Sequence, residues 1–259
     1  MALGDRSFFS EAHAHVRYFF RGHLDTAWKL EPGVYRDTFK FVREAGEDDE
    51  DARLRTEQHL AQDFRVMSAG LRSGREGNVN LYFLQQHYGM PTRLLDWSNN
   101  PLAALYFSVF DKDMDGLDAA LFTLDAYRLA GEQGAPPRDK VDAEHDVNGI
   151  ATSDRYYLRS AIEVIAQWGK KDAFGEYVLA LRPDHFDKRI SLQRSAFTFH
   201  VPARPRLDPA KLECVREFFI PREAKGSIRQ ELGLLGIDDF SIFGDLDHLA
   251  QRLKSAYLK

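Results

Sequence analysis

Gln85–Phe107, QQHYGMPTRLLDWSNNPLAALYF, decides how the rest of the chain is read. It gathers Gln, His, Tyr, Thr, Arg, Asp, Trp and Ser into one turn and then runs into an apolar helix. A segment built only for packing has no use for so many hydrogen-bonding groups, because each buried one costs free energy unless it is partnered. Two readings are open. The polar groups satisfy one another and pin a loop, or they converge with apolar walls into a ligand site. Asn100 is placed to cap the following helix, with Pro101 in its first turn. That helix, through Phe110, is apolar on nearly every side and is expected to be buried.

Working outward, Val79–Tyr88 predicts a helix closed by Gly89, and Pro91 bars its continuation. Leu54, Leu60, Ala61, Phe64, Met67 and Leu71 recur at helical spacing and predict a long amphipathic helix over Glu50–Arg72. The acidic run Glu44–Asp51 reads as a solvated loop. Val16–Arg21 reads as a strand ending at Gly22. Downstream, strands are expected over Ala119–Leu124, Tyr177–Leu181, Ala196–Val201 and Glu217–Ile220. Gly131–Asp142 reads as an exposed loop, Ser153–Trp168 as a helix or part strand, and Asp184 as the start of a short helix toward Leu192. Further helices are expected over Glu223–Leu235 and along Leu246, Leu249, Ala250, Leu253 and Tyr257. Helices and strands mix without regular βαβ alternation. This predicts an α+β fold with a mostly antiparallel sheet core packed with helices.

The chain has 259 residues, 44% of them hydrophobic, enough for a sizeable core in one domain. Its net charge of -5 argues against bulk electrostatic binding to nucleic acid but leaves room for a local basic groove. Cys214 is the only cysteine, so no disulfide framework or cysteine metal cage is expected, and Cys214 reads as a small core residue. The N-terminus lacks the pattern of a signal peptide, and no run approaches the roughly 20 apolar residues of a membrane helix. A cytoplasmic protein without membrane contact is expected. Phosphate-loop, GxGxxG, GxSxG and HExxH patterns are absent. His13 and His15 read as surface histidines, and no metal site is expected.

Three polar clusters remain, each at the edge of an apolar element. Arg21-Gly22 ends the first strand. A guanidinium there suits a phosphate or carboxylate, and glycine lets a ligand approach the backbone; the alternative is a salt bridge from Arg21 to a carboxylate such as Asp96. The second cluster is His87, Tyr88, Thr92, Arg93, Asp96, Trp97 and Ser98. Trp97 can stack on a flat ring while Asp96 and Ser98 hold hydroxyls, or Asp96 braces the turn and Trp97 fills core. The third is Gln193, Thr198 and His200. Alternation puts Phe197 and Phe199 on one strand face, with Thr198 and His200 on the other. A lone histidine of this kind is commonly structural.

At these residues the chain resembles the FRG domain family, named for a Phe-Arg-Gly motif that stands here as Phe20-Arg21-Gly22. The pattern continues through Trp28, Arg36, Gln86-His87-Tyr88-Gly89, Pro91 to Trp97 and Asn100-Pro101 to Phe107. Arg189 to Thr198 resembles the family's Arg-x-x-x-Gln-x-Gly-x-Phe-Thr strand, with Ser195 in the glycine position. Phe243-Gly244-Asp245-Leu246-Asp247 resembles a common ending in which proline usually replaces Gly244. The resemblance implies one FRG-type domain over residues 1–259, with an N-terminal extension at 1–15 and a C-terminal helical appendage at 223–259.

The layout is also similar to ADP-ribosyltransferases, and that similarity implies a split sheet, NAD as the small-molecule partner and an acceptor macromolecule, protein or nucleic acid. Mapped by motif, Arg21 would grip the diphosphate, Tyr88 or Trp97-Ser98 would face nicotinamide, and Gln193 would position ribose. Gly22, Thr92 and Arg93 would join the binding set, with His87 and Asp96 beside Arg21 and Gln193 as catalytic candidates. The family position taken by Gln193 would be a carboxylate in a transferase; either the acid lies elsewhere, with Asp96 and Glu57 as candidates, or activity is weak, or the site only binds a nucleotide. A toxin or phage-defence role is implied on the same ground. Two other readings stay open: a nucleotide-binding module without turnover, and an NAD-independent nuclease using His87, His200 and Arg93.

Overall fold

The computed structural model describes residues 17–72, 77–133, 151–152, 162–183 and 188–258. The 1–15 extension with His13 and His15, most of the 131–142 loop, the start of 153–168 and Asp184 lie outside the described residues.

Among the described residues seven strands form one sheet: β1 (Tyr18–His23), β2 (Leu94–Ser98), β3 (Ala119–Asp125), β4 (Ala151–Thr152), β5 (Leu179–Arg182), β6 (Ser195–Phe199) and β7 (Val215–Ile220). Their order is β4-β5-β6-β2-β1-β3-β7. Every neighbouring pair is antiparallel except β4 with β5. The fold is α+β, as the mixed element order implied.

β2 is the element the sequence hides. Leu-Leu-Asp-Trp-Ser, with Pro91 just before and Asn99-Asn100 just after, looks like turn. Pairing makes it the sheet's centre: Leu94 to Ser98 run in register against Phe199 to Ser195 of β6. Cross-strand packing here outweighs local preference. Toward β1 the ladder is short. Only Phe20 and Ser98 are in register, whereas β1 meets β3 along all six of its residues. Beyond Phe20 the two central strands part, and that seam opens into a cavity.

Helices cover the face of the sheet that carries Leu94, Phe197 and Phe199. These pack with Leu54 of α1 (Asp49–Met67) and with Tyr82 and Phe83 of α2 (Asn78–His87). Asp48 caps α1 by accepting from the Glu50 and Asp51 N–H groups. Gly89, at φ 79°, supplies the left-handed turn after α2. α3 (Pro101–Val109) lies beside them, its first turn capped by Asn100. Ala103, Tyr106 and Val109 of α3 pack with Leu232 of α4 (Lys225–Leu234) and Ile242 of α5 (Asp239–Phe243). Part of the 223–259 segment, expected as an appendage, thus belongs to this cluster. α6 (Leu246–Tyr257) buries no residue. Gly244 sits at φ 65°, which a proline ring forbids, so the proline that the resemblance implies at this position has no place in this turn. The other face holds Phe19, Leu95, Trp97, Phe122, Leu124 and buried Cys214, whose thiol burial pushes up.

No helix among the described residues is long and apolar enough to cross a membrane.

Two buried histidines give the fold a pH response. His23 and His200 are held at about 3, first by burial, and for His23 next by the Arg21 charge. The unfolded chain protonates them near the usual value of about 6.5. Below that value the unfolded state binds protons that the folded state refuses, so stability falls as pH drops. The expected loss is up to about 1.4 kcal/mol per pH unit for each histidine. Denaturant titrations at about pH 7.5 and about pH 5.5 should differ accordingly, and His200→Gln should remove about half of the histidine contribution. Equal stability at both pH values contradicts the assignment.

Candidate functional site

The cavity at the β1–β2 seam has a volume of about 460 Å³, within the range of small-molecule sites. Residues far apart in sequence meet there. Arg21 and Gly22 come from β1, His87 from the end of α2, Asp96, Trp97 and Ser98 from β2, and Gln193 from the turn before β6.

Arg21 reaches across the open seam. Its Nη1 donates to the Asp96 carbonyl at 2.6 Å, a group that a continuous ladder would have used, and its Nε donates to His23 Nε2 at 2.8 Å. The Asp96 carboxylate stands 4.0 Å from Nη1, so the expected salt bridge is loose. Nη2 makes no hydrogen bond among the described residues. Burial lowers the Arg21 pKa to about 10, partly offset by Asp96, which leaves it charged at neutral pH. A guanidinium with 16% side-chain exposure and donors to spare is a strong partner for an anion.

The Asp96 side chain is 55% exposed at the cavity. Gln86 orients it: Gln86 Nε2 donates to Asp96 Oδ2 at 2.6 Å, while Gln86 Oε1 accepts from the Thr92 hydroxyl. Thr92 Oγ1 in turn accepts from the Leu94 N–H at 3.0 Å. Thr92 is therefore a buried support, one hydrogen bond behind Gln86 and two from Asp96. Gln86 was visible only as part of a motif; its place opposite Asp96 depends on β2 being a strand.

Several expected ligand contacts are spent elsewhere. Ser98 Oγ donates to the Gln193 carbonyl at 2.6 Å and accepts from the Asn100 N–H at 2.9 Å, tying two turns together. Among the described residues Gln193 Nε2 makes one long bond, 3.4 Å, to the Ile242 carbonyl. Trp97 borders the cavity with a buried ring, its Nε1 donating to Thr198 Oγ1 at 3.0 Å. Tyr88 is 68% exposed and lies off the cavity wall, its ring edge-on to His87. The accessible aromatic walls are Phe20, Trp28, Phe107 and Phe110, which apolar character alone does not single out.

Gly22 borders the cavity, but its lack of a side chain serves packing. A Cβ there would lie 2.1 Å from the Ala104 carbonyl oxygen and 2.5 Å from the Ser108 nitrogen, both backbone atoms of α3.

Arg93 is the clearest departure from expectation. It is completely buried. Nε donates to Glu57 at 2.8 Å, Nη2 to Glu50 at 2.7 Å and Nη1 to the Tyr35 hydroxyl, and the guanidinium lies over the Phe174 ring. Three anionic or phenolic acceptors hold its charge firmly in place despite burial. Glu57, 2% exposed, also accepts from Tyr82 Oη at 2.6 Å, so both carboxylate oxygens are used. Glu57 cannot act on a ligand, and Asp96 is the candidate carboxylate at the cavity. His200 is likewise sealed in, its Nε2 2.9 Å from Thr198 Oγ1. His87, His200 and Arg93 do not share a cavity. Among the described residues no group of three His, Cys, Asp or Glu side chains is placed to hold a metal ion.

No curated protein and no solved structure gives a significant match to the chain. The FRG domain family model matches residues 16–116, the stretch that holds β1, α1, α2, β2 and α3 together with Arg21, Gln86 and Asp96. The chain therefore carries an FRG domain over residues 16–116.

Proposed function

We propose that the chain is an ADP-ribosyltransferase-like enzyme that takes NAD as a substrate in the β1–β2 cavity and transfers ADP-ribose to an acceptor macromolecule. The observation that carries this reading is the meeting of Arg21, Asp96 and Gln193 around one cavity of about 460 Å³. Arg21 offers free donors to a diphosphate from a mostly buried position. Trp28, Phe107 and Trp97 supply apolar walls for a flat nicotinamide ring. The Asp96 carboxylate, held by Gln86, opposes the positive charge that builds on ribose as nicotinamide leaves. This gives the acid role to Asp96 and leaves Gln193, with its weakly held amide, to orient a ribose hydroxyl.

The test is nicotinamide release from NAD by the purified protein, with and without protein and RNA acceptors. Arg21→Ala and Asp96→Asn are each expected to lower the rate at least about a hundredfold, the scale of losing a preorganised electrostatic contact. Melting temperatures should confirm that both variants fold. NAD that raises the melting temperature without any turnover would leave a binding module instead. No release and no binding would end the proposal.

A further inference from the structure

A second cavity, about 620 Å³, adjoins the first and shares Gln86, Gly89 and Asp96 with it as a partition. Its character is different. Arg36 and Lys40 stand on its wall with Thr38 and Thr56, and the nearest carboxylate lining it is Asp96 at the partition. Both cations are exposed. Arg36 Nε donates to the Glu31 carbonyl at 3.2 Å, and Lys40 Nζ to the Asp37 carbonyl at 2.7 Å. Neither forms an ion pair with a carboxylate among the described residues, although acidic side chains outnumber basic ones in the chain, 40 to 35. The Arg36 charge is felt at Arg21 across the partition, where it adds to the lowering of the Arg21 pKa. Asp96, 4.0 Å from Arg21, offsets part of this repulsion, and an anion in the second cavity would offset more.

We propose that this second cavity is a phosphate-binding chamber, in which Arg36 and Lys40 hold the phosphoryl end of a ligand whose other end lies in the β1–β2 cavity. For the identity of that ligand the proposal rests on the NAD reading, in which the diphosphate would reach from the Arg21 guanidinium across the partition to Arg36 and Lys40, with nicotinamide in the β1–β2 cavity. The charge argument stands without it. The side chains suit a diphosphate because they offer one planar fork and one point cation, and the Thr38 hydroxyl adds a neutral donor, that of Thr56 being given to the Ala52 carbonyl.

Calorimetric titration of the intact chain with ADP, inorganic pyrophosphate, NAD and nicotinamide tests this, comparing wild type with the Arg36→Ala/Lys40→Ala double variant. Both residues are exposed, so the variant should fold, and its melting temperature checks that. Wild type is expected to bind ADP and pyrophosphate, more weakly as salt rises. The double variant should lose at least about tenfold in affinity for both, and should bind nicotinamide as wild type does. Lys40→Glu alone should weaken pyrophosphate binding as well. ADP affinity unchanged in the double variant, or no binding of ADP or pyrophosphate to wild type, overturns the chamber. The two proposals fail separately. ADP binding that depends on Arg36 and Lys40, with no nicotinamide release from NAD, would keep the chamber and remove the transferase. NAD turnover indifferent to Arg36 and Lys40 would do the reverse.

Discussion

Gly22→Ala is expected to destabilise the protein by about 3 kcal/mol, near the upper end of overpacking costs. The added Cβ would meet the Ala104 oxygen at 2.1 Å, the Ser108 nitrogen at 2.5 Å and the Phe107 carbonyl carbon at 2.9 Å. All three are backbone atoms of one helix, so no side chain can swing away. Relief requires α3 to lift off β1, and α3 carries the Ala103, Tyr106 and Val109 contacts to α4 and α5. For a chain of this size the melting temperature should fall by about 10 °C. The same substitution separates two meanings of the Phe-Arg-Gly motif. If the glycine existed to admit a ligand, Gly22→Ala would leave stability alone and block binding. A variant that melts with wild type contradicts the packing account.

Glu57→Ala should cost about 3 to 5 kcal/mol, because it strands a buried guanidinium. Arg93 has no exposure and Glu57 has 2%, and the pair is bonded at 2.8 Å. Glu50 would remain on Nη2, but Nε and the Tyr82 hydroxyl would each lose a partner. Arg93→Lys should also be poorly tolerated, since a point cation cannot reach Glu57, Glu50 and Tyr35 from one fork. Replacing both partners with apolar residues, Glu57→Leu with Arg93→Met, should recover much of the loss, because the stranded charge is then gone. Chemical denaturation of the single and double variants measures this. A single variant that loses under about 1 kcal/mol would mean water reaches Arg93, and the sealed network would be wrong.

The sequence spoke clearly where periodicity or caps spoke. α1, α2, α3 and strands β1, β3, β6 and β7 lie within a few residues of their expected places, because each has a hydrophobic rhythm or a terminal signal such as Asn100-Pro101 or Gly89. β2 was illegible because five residues carry no rhythm, and its strand character comes from partners about a hundred residues away in β6. The consequence reaches the site. Read as a turn, Leu94–Ser98 gives no way to tell which of Arg93, Asp96 and Ser98 faces a ligand. As a strand, alternation and position sort them: Arg93 lies at the buried end beside α1, Asp96 at the open seam, and Ser98 at the closing pair with Phe20. Of the residues that the resemblance groups, Arg21, His87, Asp96, Trp97, Ser98 and Gln193 border one cavity, and Tyr88 does not. The resemblance could not tell a residue that borders the cavity from one that supports it, as Thr92 and Arg93 do, because that distinction is burial.

The most direct test is a crystal structure of the protein soaked with saturating NAD. Ligand density should fill the opening between β1 and β2, with phosphate oxygens on the Arg21 guanidinium and a ribose between Asp96 and Gln193. Density lodged at another surface, or none at all beside Arg21 at full saturation, would contradict the account at its root.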